Sequence, residues 1–326
     1  MARPDFIIAA GILLCSQSAS PDEALRLRME NFTVMPSTGP VVNVRVENRA
    51  DQALEATVRV RWPDSWKGAP VARKVTVPPK GTATAPFTIE KAIDVAANRY
   101  PVSIEARAGE HTTTRTQQIV CTTAPYLKPE LDGRLDDWKD AVPITFATAG
   151  KATTVMTCWS RRQFCLAVRA GQMTSGAIQF ALGPGTSGDA GRFEFVVVVP
   201  EKDGPATCYQ LLKPGDDLAT AEQARTLAGL ECETVEAHVT RDGAALCIEM
   251  AAPVKALPGL RPTPGRAFRF SLLAHTPDGL RDLGSVMNLW DDQRSPRSWC
   301  RWDGASFGPT PPFDSNIEFG FSSSIH

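Results

Sequence analysis

Tyr126–Phe146, YLKPELDGRLDDWKDAVPITF, is the stretch on which the reading of the fold turns. Pro129 bounds its start, Asp132-Gly133 makes a turn, Asp136-Asp137 lead into Trp138, and the segment ends as a strand. Everything before it reads as one small β domain, and everything after it as a larger one.

Upstream, from Leu25 to Thr122, the apolar residues recur with period two. Leu25, Leu27 and Met29 alternate with polar neighbours, as do Val42, Val44 and Val46, then Ala56, Val58, Val60 and Trp62, then Val102, Ile104 and Ala106. Such alternation between turn residues marks half-buried antiparallel strands. Turns fall at Pro36–Pro40, Asn48–Gln52, Pro78–Gly81 and Ala108–Glu110. Six or seven strands in about 100 residues predict a β-sandwich of immunoglobulin type. Trp62 and Trp66 are expected to pack within it.

Downstream the strands grow more apolar. Phe193–Val199 is nearly continuous, as suits a strand covered on both faces. Val155–Trp159 and Phe164–Val168 read as a hairpin, and Asp242-Gly243 as a two-residue turn between Val235–Thr240 and Ala245–Met250. Leu218–Leu227 is the one helix-like stretch. The fold class is therefore all-β: two sandwiches, over 21–124 and 125–326, behind a leader expected over 1–20.

That leader rests on Phe6–Cys15, FIIAAGILLC, which follows Arg3 and precedes small polar residues. The run is too short to span a bilayer and has the anatomy of a signal peptide, so a secreted, periplasmic or cell-surface location is expected. The chain has 326 residues, with 35 basic and 36 acidic side chains. Near-neutrality leaves no basic face for nucleic acid. Its eight cysteines include no CxxC pair, which argues against a zinc knuckle. Cys158 and Cys165 flank a turn and read as two small buried side chains, with a bridge left open for an oxidising compartment.

The order of motifs in the larger domain resembles the family 9 carbohydrate-binding module and its DOMON-like relatives. The segments are LDGRLDDWKDAVPI, TTVMTCWSRRQFCLAVRA, AIQFALGPG, LCIEMAAPVKALPGLRPTPGRAFRFSLLAHTPDG and LGSVMNLWDDQRSPRSWCRWDGASFG. The smaller domain resembles the Ig-like domains appended to bacterial glycosidases, through VNVRVENRA, PDSWKG, VPPKGTATAPFTI and NRYPVSIEA. The resemblance implies a non-catalytic protein that binds a carbohydrate or polysaccharide, with a glycoside hydrolase or an envelope protein as its partner. It places one gripping ring at Trp299, with Trp302 as its stand-in if the loop register shifts. Asp291, Asp292, Arg294, Arg297 and Arg301 are then the hydrogen-bonding set, and Trp290 is either core or wall of the site. The family's other ring would stand in GQMTSG, where Met173 is the sizeable apolar residue. Trp138 and Trp159 fall on strand-packing positions and are expected in the core.

No organic cofactor is implied by the binding-module reading. Calcium is left open: Asp132, Asp136 and Asp137 supply oxygens, and a solvated turn with a capping Asp explains them about as well. A haem carrier is the further alternative among the relatives, drawing on Met156, Met173, Met250, Met287, His238 and His275. A purely structural or protein-interaction sandwich is the other. Gly183–Gly188 fits G-x-G-x-x-G, but a strand follows where a dinucleotide site needs a helix. The paired acids Asp136-Asp137, Asp216-Asp217 and Asp291-Asp292 are neighbours in sequence, so on a strand they point to opposite faces and not across a cleft.

Overall fold

The computed structural model describes residues 24–185, 192–216, 225–290, 306–307 and 318–323. The chain is all-β. Eight strands form the N-terminal sandwich: β1 (Leu25–Met29), β2 (Val41–Asn48), β3 (Leu54–Arg61), β4 (Lys67–Ala69), β5 (Ala72–Val77), β6 (Thr82–Lys91), β7 (Tyr100–Ala108) and β8 (His111–Ile119). They make two four-stranded sheets, ordered β1-β2-β6-β4 and β5-β3-β7-β8. Period two does what it should: Val42, Val44 and Val46 are buried on β2 while their neighbours face outward. Trp66 and Tyr100 pack with ring centroids 5.2 Å apart, and Trp62 stacks on Trp66 at 6.3 Å, so both tryptophans serve packing as expected.

The larger sandwich is built from β9 (Thr123–Ala124), β10 (Ile144–Thr148), β11 (Lys151–Trp159), β12 (Gln163–Gly171), β13 (Ala177–Pro184), β14 (Phe193–Val198), β15 (Gly204–Pro205) and β16 (Cys208–Leu212). It continues through β17 (Arg225–Thr226), β18 (Glu236–Asp242), β19 (Ala245–Pro253), β20 (Ala267–Thr276), β21 (Gly279–Asp282), β22 (Ser306–Phe307) and β23 (Glu318–Phe321). The front sheet runs β10-β11-β12-β19-β18-β15 and the back sheet β16-β14-β13-β20-β23-β9, with β21 paired to β20. Between them lies one core that includes Val155, Phe164, Ile178, Phe180, Phe195, Ile248, Phe268 and Phe270.

The β18–β19 turn occupies Gly243 and Ala244, one residue later than the sequence suggested, because Asp242 pairs directly with Ala245. Gly243 has φ +59°, which suits the first central position of a II′ turn. The helix-like stretch falls largely outside the described residues, and its end, Arg225–Thr226, is strand. The leader region also falls outside them. Among the described residues no helix is long and apolar enough to cross a membrane.

Residues 129–141 lie across the outer face of the front sheet, and Ile144–Phe146 join that sheet in its edge strand β10. Trp138, 1% exposed, packs with Ala141 against Met156, Cys158, Cys165, Ala167 and Ala251. Trp159, 5% exposed, belongs to the main core, and its indole N–H donates to Ser322 O at 2.8 Å. Both tryptophans are core residues, as expected.

Candidate functional site

The apolar residues of the back sheet's central strands point inward: Ile178, Phe180 and Leu182 on β13, Phe193, Phe195 and Val197 on β14, and Phe268, Phe270 and Leu272 on β20. Alternation sends the residues between them to the opposite face. That face carries Gln179, Glu194, Ser271 and His275, all at most 5% exposed, with Arg192 at 8% just before β14.

These side chains are wired to one another. Gln179 pairs with Val196 and Leu273 in register, so Glu194 and His275 are its diagonal neighbours on the flanking strands. The Gln179 amide N–H donates to Glu194 Oε1. Arg192 Nε–H donates to Glu194 Oε2 at 3.3 Å. With its nitrogen turned to Glu194, Gln179 offers Oε1 to His275 Nε2, 2.8 Å away. His275 is then the Nε2–H tautomer and donates. Burial lowers its pKa to about 4, so the ring is neutral at neutral pH. The row runs His275 to Gln179 to Glu194, closed by the Arg192 guanidinium, and its formal charges cancel. Four polar side chains are thus spent on a face that the hydrophobic core does not need, and each is satisfied.

Of these four, only His275 was singled out from the sequence, and then for the haem alternative. The available signal was a lone polar residue inside a near-continuous apolar strand: Gln179 in AIQFALG and Glu194 in RFEFVVVV. A polar side chain on a strand covered on both faces must find a partner. The strand period names the face but not the partner.

The expected site residues fare differently. Trp299, Trp302, Arg301, Asp291 and Asp292 lie outside the described residues, as do Arg294 and Arg297. Met173 does not line a site: it is 2% exposed and belongs to the main core. Gly176, at φ +120°, turns the chain there so tightly that a Cβ would fall 1.9 Å from His275 O and 3.4 Å from Met173 Cε. Trp290 resolves to core, not wall. It is 7% exposed, its indole N–H donates to Leu27 O at 3.1 Å, and Arg26 lies over its ring at 4.6 Å. For Met173 this is a correction, because its thioether is packed in the core; for Trp290 it selects the core alternative over the wall of a site.

Among the residues raised for haem, Met173, Met250 and Met287 point into the core and His275 Nε2 is committed to Gln179. Met156 and His238 lie on the outer face of the front sheet, away from that row. The carboxylates raised for calcium line a cavity of about 300 Å³ with Lys128, Glu130 and Arg134. Asp132 Oδ1 accepts from Arg134 N–H at 2.8 Å and Asp137 Oδ2 from Glu130 N–H at 2.6 Å, so two of the three cap their own turns. Among the described residues no group of three or more His, Cys, Asp or Glu is arranged to hold a metal ion.

No family model matches the sequence, and no curated protein matches it. Among solved structures, the chain is similar to a family 9 carbohydrate-binding module from Caldicellulosiruptor kristjanssonii in complex with glucose, at 12% identity and TM-score 0.38, over 61% of this chain and 94% of that one. The same module in complex with cellotriose gives 12% identity and TM-score 0.38, over 61% and 92%. The YadV chaperone is similar at 10% identity and TM-score 0.24, over 80% of this chain and 97% of its own. At TM-scores this low none of these likenesses carries an argument.

Proposed function

We propose that this chain is an exported, non-catalytic carbohydrate-binding protein, and that the polar row on the outer face of the back sheet meets a sugar's hydroxyls. One observation carries the reading: Gln179, Glu194, Arg192 and His275 form a hydrogen-bonded row whose formal charges cancel, drawn from adjacent strands of a rigid sheet. A sugar needs fixed donors and acceptors at close spacing and no net charge opposite it, and sites are held best on strands. In this reading a sugar's hydroxyls exchange with bonds the row now makes within itself, at the Glu194 carboxylate and the Arg192 guanidinium. Trp299 supplies the apolar ring for the sugar's C–H face in this reading. The row holds one carboxylate, whereas glycoside hydrolysis needs two facing each other across a cleft, which favours binding over cleavage.

Affinity electrophoresis and calorimetry against glucans, xylans and small sugars test it. Binding that Glu194→Gln weakens at least tenfold supports the proposal. Binding untouched by that change, or none across the panel, removes it. The second reading is a structural or protein-interaction sandwich, favoured by the row's near-complete burial: its groups are at most 8% exposed and already satisfy one another. A visible spectrum with and without dithionite tests the haem alternative, which a Soret band would revive.

A further inference from the structure

At one edge of the larger sandwich the chain crosses between the two sheets twice. Residues 205–208 pass from β15 of the front sheet to β16 of the back sheet, and residues 232–236 return from beside β16 to β18. A backbone bond pins the two crossings at each end. Ala206 N–H donates to Ala237 O at 2.9 Å on the front side, and Cys232 N–H to Cys208 O at 2.8 Å on the back. Between those bonds the outgoing arm has one residue, Thr207, and the returning arm has residues 233–236. The longer arm must bow away from the shorter, and both line a cavity of about 430 Å³.

The floor of this cavity is apolar and its mouth acidic. Cys208, Val235 and Ala237, at most 7% exposed, form the floor and belong to the main core. Leu131 and Pro205 add apolar wall. Leu131 comes from the segment over the front sheet, which Glu249 holds in place: that carboxylate is 0% exposed and accepts from Gly133 N–H at 2.5 Å and from the Trp138 indole N–H at 2.6 Å. Glu231, Glu233 and Glu236 line the cavity and are exposed, set against one imidazole, His238. Among the described residues no lysine or arginine lines it, and Arg241 on the same strand as His238 is paired with Asp203 at 2.6 Å. Glu231 Oε2 accepts from Gly229 N–H at 2.8 Å, whereas Glu233 and Glu236 make no side-chain hydrogen bond or ion pair among the described residues.

We propose that this cavity is a ligand site in its own right and takes a small organic cation, with an amine or guanidinium group between Glu233 and Glu236 at the mouth and an apolar body on Cys208, Val235 and Ala237. Its volume suits a small molecule, and an apolar lining with a few polar groups at one end is how such sites fix orientation. The carboxylates attract a cation and reject an anion of the same shape, so the charge of the ligand sets the specificity. The cavity shares no lining residue with the polar row of the back sheet, and a sugar bound at that row neither fills it nor reports on it.

Cys232 supplies the readout, because it lines the cavity and is half-buried, whereas the other described cysteines are buried. Its alkylation by iodoacetamide in the whole chain is followed by mass mapping, with tryptamine as the cationic probe and indole-3-propionate as the anionic counterpart. Tryptamine at millimolar concentration should slow alkylation at least about fivefold and saturably, and indole-3-propionate should leave the rate unchanged. In the double variant Glu233→Gln/Glu236→Gln, which alters two exposed side chains, the tryptamine concentration for half protection should rise about tenfold. Alkylation indifferent to tryptamine overturns the proposal, as does equal protection by the two probes or protection that the double variant leaves unchanged. Calorimetry with both probes on both proteins reads the same discrimination without the thiol, and binding heats that are absent, or equal for the two probes, overturn it as well.

Discussion

The indole N–H of Trp290 donates to the backbone carbonyl of Leu27 at 3.1 Å, joining residues 263 positions apart. Leu27 belongs to β1 of the N-terminal sandwich, and Trp290 follows the last long strands of the larger one. Arg115 ties the same spot from both sides, donating to Leu27 O at 2.7 Å and to Asn288 O at 3.0 Å. Arg26 lies over the Trp290 ring at 4.6 Å, a cation–π contact. Trp290→Ala should therefore cost about 3–5 kcal/mol, and Trp290→Phe, which keeps the ring but loses the donor, clearly less. Urea unfolding followed separately in each sandwich checks this. The alanine variant should split one transition into two.

Gly133 is required twice over. Its φ of +80° disfavours any side chain, and a Cβ there would lie 2.1 Å from Thr240 Cγ2 and 2.9 Å from His238 Nδ1. Gly133→Ala should destabilise by about 2 kcal/mol or more, since the conformation and the space both object. Adding Thr240→Ala should recover part of that loss, the part due to collision, and leave the rest. A double-mutant cycle in denaturant separates the two. Full recovery would show that backbone strain contributes nothing there.

Cys158 and Cys165 are directly opposite on β11 and β12 and both 0% exposed, yet they should stay thiols. Ser160 N–H donates to Gln163 O at 2.8 Å, which marks 160/163 as a hydrogen-bonded pair of this ladder, and counting two residues back makes 158/165 another. The intervening residue agrees: Trp159 turns its backbone outward, bonding Pro125 O and Leu127 N–H, each at 3.0 Å. At hydrogen-bonded positions Cβ atoms stand roughly 5.5 Å apart, beyond the 3.5–4.5 Å that a disulfide spans. Burial also pushes the Cys158 thiol well up, suppressing the thiolate that exchange needs. Incubation with glutathione disulfide, then alkylation in denaturant and mass mapping, should find both residues alkylated. A mass 2 Da lighter across this peptide pair would contradict the register argument.

The architecture was legible because it is written in local periods. Val42, Val44 and Val46 announce their strand without knowing their partners, and Trp138 and Trp159 are large enough that apolar surroundings are the default. The polar row was not legible. Its bonds join residues 15 and 96 positions apart, and strand alternation places Gln179 on a face without saying that His275 lies diagonally beside it. Met173 was misplaced by aligning a position where a ring is expected. In the fold the side chain is 2% exposed and lies in the main core. Glu249 reads as one acid inside LCIEMAAP, and only the folded Asp-Gly segment explains why a carboxylate belongs there.

Within the row, Glu194→Gln should be more harmful than Gln179→Ala, although a glutamine at 194 can still accept from Gln179 through its amide oxygen and the alanine loses the bonds to both Glu194 and His275. Removing the carboxylate charge leaves the Arg192 guanidinium, 8% exposed, without its counter-ion. Breaking a buried pair from one side costs about 3–5 kcal/mol, whereas truncating a neutral amide costs about 1–3 kcal/mol. Arg192→Met combined with Glu194→Gln should recover much of the stability while leaving any sugar affinity abolished. Thermal unfolding and calorimetry on the same samples distinguish a row kept for stability from one kept for binding.

His275 gives the fold a pH dependence opposite in sign to that of Glu249. Its ring is held neutral by burial, with a pKa of about 4, while in the unfolded chain it would titrate near 6.5. Between those values the unfolded state binds more protons, so stability is lost as pH falls from about 6.5 to 4, by on the order of 3 kcal/mol. Glu249 works the other way over an overlapping window, gaining stability as pH falls from about 7 toward 4.3. In the wild type the two slopes largely cancel, and a flat profile from pH 5 to 6.5 would by itself say nothing about either group. His275→Gln keeps a neutral donor toward Gln179 and removes one slope, so its stability should rise as pH falls through this window. Glu249→Gln removes the other, so its stability should fall. Urea midpoints for both variants at pH 5, 6 and 7 check the pair, and parallel profiles in the two proteins would show that neither side chain is buried as described.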